Sequence, residues 1–280
     1  METQEIVRAP DHRISMKEEM TTLADYDYGR WRAMAAQNPA DREKVRGFVS
    51  IPAVWGVQLA PPVPVRRASI MLAEAVNRYT DMAARVDTHL TLDARRLFST
   101  PFLYITADRA FELTPTERNR LVEYLRSSGF AFLDTGAPEY EHGPGEASLR
   151  QMLRDALGCH SRFEPIPLSH PIYHCFFDFT DGPPQGQTVW YQYLNSVVNC
   201  SDNPAYMRRP GSVFYLEGVF LDGGLVAVYS GKGYGVRWAQ MVYFGKNDPQ
   251  LKFGVNLVVY ALTREGGITE RVMERFSDVQ

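Results

Sequence analysis

Residues 102–134 constrain the fold of this chain more than any other stretch. Phe102-Leu-Tyr-Ile-Thr-Ala-Asp108 is a short apolar run ending in an acid, and Phe130-Ala-Phe-Leu-Asp134 repeats the pattern. Between them Thr114-Pro-Thr-Glu117 opens a helix: Thr114 caps it, Pro115 suits the first turn, and Glu117 closes a capping box. Leu121, Val122 and Leu125 supply the buried stripe, and Gly129 is placed to end the helix in a left-handed conformation. Strand, helix and strand in this order read as a βαβ unit of a parallel sheet. The working surface of such a sheet lies at the carboxyl ends of its strands, where Asp108 and Asp134 stand.

The flanks extend this α/β reading. Phe48-Val-Ser-Ile-Pro-Ala-Val-Trp-Gly-Val-Gln-Leu59 predicts a strand with an edge or a bulge at Pro52. After Pro61, Pro62 and Pro64, a helix follows with Val65, Ala68, Leu72, Ala75, Val76 and Tyr79 on one face. Met82 to Val86 is a short strand candidate. A further helix has Leu149, Met152, Leu153, Ala156 and Leu157 inward, with Gly158 as its stop. Val213 to Leu221, Asp222-Gly-Gly and Leu225 to Tyr229 predict a C-terminal β-hairpin. Asp248-Pro249 starts a buried helix running to Leu262, apolar nearly all round.

Residues 1–46 differ in composition. Ser15-Met-Lys-Glu18 is a capping-box pattern, and Met16, Met20 and Leu23 recur at helical spacing, so an N-terminal helical arm is expected. The α/β domain is expected over 47–265, with a tail at 266–280. Residues 187–209 read as an aromatic-rich insertion.

Composition narrows the function classes. A length of 280 residues buries a full core without staples. A net charge of −3 gives no footprint for nucleic acid or an anionic membrane. Cys159, Cys175 and Cys200 are odd in number and lack metal-site spacing, which fits reduced thiols. The first residues have no apolar leader, and no segment is long and apolar enough to span a membrane. A soluble, cytoplasmic protein is the expectation.

Several motifs together resemble a catalogued family. Asn77-Arg-Tyr-Thr-Asp81, Leu97 to Ile105, Leu121 to Asp134, Leu168-Ser-His-Pro-Ile-Tyr-His-Cys-Phe-Phe177, Leu216 to Gly223 and Gly254 to Leu262 look like domain of unknown function 4159, in the right order over roughly 48–265. The resemblance implies a flavodoxin-like open, mainly parallel sheet with helices on both faces, related to class I glutamine amidotransferases and ThuA-type sugar-utilisation proteins. It implies no established activity. The arm and the 187–209 insertion depart from the family pattern, as does the lack of the export signal or membrane helix seen in many relatives.

The chemistry has more than one reading. Amidotransferase-like catalysis needs a Cys or Ser on a glycine-flanked turn, and Thr106-Ala-Asp-Arg-Ala110 has none. Ser230-Gly-Lys-Gly-Tyr-Gly235 follows a strand and can offer N–H groups to an anion, but lacks a phosphate-loop order; a flexible turn is the alternative. Thr106, Ser230, Lys232 and Tyr234 are thus ligand-binding candidates. His170 and His174 are four apart, yet Pro171 argues against a helix that aims both at one metal; His170 reads instead as a turn or capping residue. The loop from Asp134 to Glu146 carries Asp134, Glu139, Glu141, His142 and Glu146. Asp108, Asp134 and His142 are the catalytic candidates; the alternative is a solvated loop with Asp134 bonded to backbone. Trp31, Trp190, Tyr191, Tyr193 and Tyr206 are partner-contact candidates, and crevice filling is an equal reading for the insertion aromatics.

With no nucleophile and no metal or cofactor signature, the leading expectation is a non-catalytic binding or assembly module with a protein partner or self-association. The alternative is a hydrolase or carbohydrate-processing enzyme at the carboxyl ends of the strands.

Overall fold

The computed structural model describes residues 32–62, 65–138, 140, 142–186, 215–239 and 247–271. Its strands are β1 (Ala33–Asn38), β2 (Asp41–Trp55), β3 (Asp81–Thr91), β4 (Phe102–Ala107), β5 (Phe130–Thr135), β6 (Glu164–Pro165), β7 (Glu217–Leu221) and β8 (Gly224–Ser230). The helices are α1 (Val65–Tyr79), α2 (Pro115–Arg126), α3 (Pro144–Leu157), α4 (Tyr234–Ala239) and α5 (Asp248–Thr263).

All eight strands form one open sheet. Its parallel part runs β3-β2-β4-β5-β8, and β7, β1 and β6 extend it by antiparallel pairing. Numbered by their order in the parallel part, these strands read 2-1-3-4-5, the flavodoxin-like order.

Alternation along the central strands builds two apolar layers. Phe102, Tyr104, Phe130 and Phe132 face a core shared with α1, α4 and α5, through Leu72, Trp238 and Phe253 among others. Leu103, Ile105, Ala131 and Leu133 face the other core, with Leu121 of α2 and Leu149 of α3. Burial on both faces explains why these strands read as continuous apolar runs.

The helices expected within the α/β domain and the hairpin are present, and the two-residue turn between β7 and β8 has positive φ at Asp222 and Gly223. The capping box at Thr114 and Glu117 is formed. Pro52 lies at a register shift against β3. Three readings are corrected. The left-handed residue after α2 is Ser128, at φ 61°, because Gly129 is needed beside the Tyr124 ring, which leaves no room for a Cβ. Tyr124, not Val122, completes the buried stripe of α2. Finally, residues 33–46 are extended where the arm was expected to be helical: β1 and the start of β2 form a hairpin, and the helix expected around Ser15 to Leu23 lies outside the described residues. Ala33, Met34 and Ala35 are all buried, and β1 lies so close that Gly47 has no space for a side chain beside the Met34 carbonyl. Alanine favours helix in isolation, and pairing with β2 overrides that preference.

Candidate functional site

Asp134 ends β5 on the α4 side of the sheet, beside its register partners Thr106 on β4 and Ser230 on β8. It is fully buried. Its Oδ1 accepts from the Gly233 N–H at 3.1 Å, and its Oδ2 accepts from the Gly235 N–H at 2.8 Å. The Ser230 hydroxyl and the Tyr234 N–H bond it too. Gly233 has φ +67°, a left-handed conformation that curls successive N–H groups around one point. The N–H groups of the Gly-rich loop therefore converge on the chain's own carboxyl group. Burial pushes the Asp134 carboxyl up to about 7 against the pull of these donors.

The other ligand candidates close around this point. Thr106 and Ser230 are buried. The Tyr104 hydroxyl sits where a Cβ on Gly235 would be, and burial together with the Asp134 charge holds its phenol well above the usual range. Lys232 is 1% exposed; burial pushes its ammonium down to about 8, and its N–H donates to Ser230 Oγ at 3.1 Å. Tyr234 donates to the Pro184 carbonyl at 2.5 Å, and Gly186 packs directly on the Lys232 backbone. Gln250 of α5 bonds the Gln185 carbonyl at 2.7 Å. The segment leading to residue 187 thus covers the loop.

The expected catalytic trio is not assembled. Asp108 is half-buried one residue beyond β4, with Gly145 of α3 packed on its backbone. His142 lines a groove of 460 Å³ with Phe111, Glu146, Ser148, Arg150 and Arg154, and neither Asp108 nor Asp134 is in that lining. His142 has φ 59°, and its N–H donates to Glu146 Oε2 at 3.2 Å. Glu146 is itself buried in the first turn of α3 and pairs with Arg150, which also pairs with Glu217. Glu139, Glu141, Trp31, Trp190, Tyr191, Tyr193 and Tyr206 lie outside the described residues.

The histidines and thiols resolve separately. His170 Nδ1 accepts from the Ile172 N–H at 3.2 Å, the capping role expected of it. His174 bonds Asp178 and the Leu168 carbonyl. No cluster of three potential metal ligands occurs among the described residues. The Cys175 thiol is pushed up to about 12 by burial and donates to the Asn256 carbonyl, so it is a poor nucleophile; Cys159 is exposed.

Two organising roles lie beyond the sequence reading. Glu117 caps α2 and, from the same carboxylate, accepts the Val57 N–H at 2.7 Å, tying the loop after β2 to α2 at the reversal of strand order. The capping box was legible, but its second partner was distant in sequence. Asn256 accepts the Phe177 N–H and donates to the Ile172 and Phe177 carbonyls. It is one polar residue inside an apolar helix, and that was its only signal.

A family model described as a domain of unknown function (DUF4159) matches residues 63–262. No curated protein matches the chain. Among the described residues, no helix is long and apolar enough to cross a membrane.

Proposed function

This chain belongs to that family of unknown function, and from that premise we propose a non-catalytic module that works by binding or assembly, with a protein partner or a second copy. One observation carries the reading. The carboxylate best placed for chemistry, Asp134, is buried and has both oxygens bonded to the N–H groups of Gly233 and Gly235. A general acid or base needs access to a substrate proton. The strand order supports a relation to class I glutamine amidotransferases at the level of fold alone. A cytoplasmic location belongs to the same reading.

Light scattering of the full-length chain over a dilution series, alongside a variant lacking residues 1–31, tests it. The expected result is a mass above the monomer, or a partner of defined stoichiometry, lost or altered in the variant. A monomer in both forms with no partner would overturn the proposal.

The hydrolase reading draws on Asp134 near 7 and Lys232 near 8, opposite shifts at the carboxyl ends of β5 and β8. Turnover of a glycoside or ester substrate that survives Asp134→Asn would sink that assignment.

A further inference from the structure

Both ring nitrogens of His174 face oxygen atoms that can only accept. Nδ1 lies 2.9 Å from Asp178 Oδ1, and Nε2 lies 2.7 Å from the Leu168 carbonyl. Neutral imidazole carries one N–H, so it satisfies one of these partners and sets a lone pair against the other. Only the imidazolium, with two N–H donors, fits the geometry as it stands. Asp178 is suited to face a cation: the His174 ring and Arg42 both bond it and hold its carboxyl below the usual carboxylate range.

Other side chains join this loop to the β1–β2 hairpin. Arg42, on β2, bonds Asp178 and also the His174 carbonyl at 3.0 Å. Gln37, on β1, donates to the Cys175 carbonyl at 2.8 Å. The loop they grip is anchored beneath by Asn256 of α5. The groups facing the ring are therefore Asp178 and the Leu168 carbonyl from its own loop, and Arg42 from the hairpin. Lys252 of α5 is directed to the Phe177 ring, 5.4 Å from its centroid.

We propose that His174 is a proton-operated clamp within the 168–179 loop, tying Asp178 to the turn at Leu168, shut by the imidazolium and loosened by the neutral ring. Bonding to Asp178 and to the Leu168 carbonyl raises the proton affinity of the ring above that of a free histidine. The folded clamp therefore binds the proton more tightly than the open loop does. It is shut on the acid side and loosens as pH rises through that raised midpoint. Release breaks the bond of the ring to Asp178, which Arg42 still holds, or to the turn carrying the exposed Leu168. The same loop continues through Phe179 to Pro184 and Gln185, which cover the Asp134 loop.

The test uses the full-length chain. Nitrogen-detected NMR of the imidazole rings, with His174 assigned by its loss in His174→Gln, reads the protonation directly. The expected result is a His174 ring protonated on both nitrogens above the ordinary midpoint of about 6.5, falling in Asp178→Asn. Amide exchange supplies the second reading. Protection over 168–178, taken relative to β4 amides to cancel intrinsic pH effects, should fall about fivefold between about pH 6 and pH 8, and stay low at both in His174→Gln. A midpoint at or below that of free histidine overturns the proposal, as does a wild-type protection ratio that does not change with pH.

Discussion

The side-chain amide of Asn77 closes a ring of two hydrogen bonds with the backbone of Ala84. Its Oδ1 accepts from the Ala84 N–H at 2.6 Å, and its Nδ2 donates to the Ala84 carbonyl at 3.1 Å. Ala84 lies on β3, which pairs only with β2 among the described strands, so one side chain does there what a neighbouring strand would do. Thr80 repeats the device by accepting from the Met82 N–H at 3.1 Å. Long edge strands invite pairing with other chains, and these two residues occupy that edge.

Asn77→Ala is expected to lower stability by about 1–3 kcal/mol, because a paired donor and acceptor lose their partners. Urea unfolding measures the loss, and light scattering should show added concentration-dependent association through the opened edge. Unchanged stability and mass would show that the edge does not need Asn77.

Asp134 gives a pH dependence with a definite sign. Its folded carboxyl stands near 7, above the ordinary carboxylate value. Its contribution to stability is therefore fully present below that ordinary value and is lost as pH rises through about 7. The slope from this one group is at most about 1.4 kcal/mol per pH unit. Wild type minus Asp134→Asn, measured by chemical unfolding between about pH 4 and pH 8, should isolate it. A difference that stays flat or rises with pH would show that the donors on Gly233 and Gly235 outweigh burial.

Removing the Glu117 carboxylate should loosen two places at once. Glu117→Ala removes the acceptors of the Thr114 and Val57 N–H groups while the Thr114 cap remains, with an expected loss of about 2–3 kcal/mol. Hydrogen exchange should quicken at Val57 and Thr114 together. Quickening at Thr114 alone would mean that the loop after β2 is held by other contacts.

The thiols offer a chemical probe of the 168–179 loop. In the folded protein a disulfide reagent near neutral pH should modify Cys159 and leave Cys175 unmodified, as peptide mapping would show. Asn256→Ala, which removes the bonds to Ile172 and Phe177, should make Cys175 reactive. Rapid modification of Cys175 in the wild type would contradict a thiol held on the Asn256 carbonyl and kept protonated.

Legibility followed the range over which the physics acts. The capping box, the turn of the β7–β8 hairpin and the stripes of α1 and α3 depend on residues a few positions apart, and all were readable. The β1 strand was not, since Ala33 and its neighbours suit a helix until β2 lies beside them. At the candidate site, the sequence leaves Asp134 between a catalytic role and a bond to backbone, and the loop at 230–235 between an anion binder and a flexible turn. That they satisfy each other depends on β5 and β8 being neighbours, about a hundred residues apart in the chain.

The sequence alone determined the α/β class, the buried parallel strands, most of the helix limits and the position of a carboxylate at the end of β5. Each follows from local pattern and backbone chemistry. Only the tertiary structure decided the strand order, the hairpin formed by β1 and the start of β2, and the fate of that carboxylate. These depend on which distant backbone groups meet, and burial then turns a candidate catalytic acid into the anchor of the chain's own glycine loop.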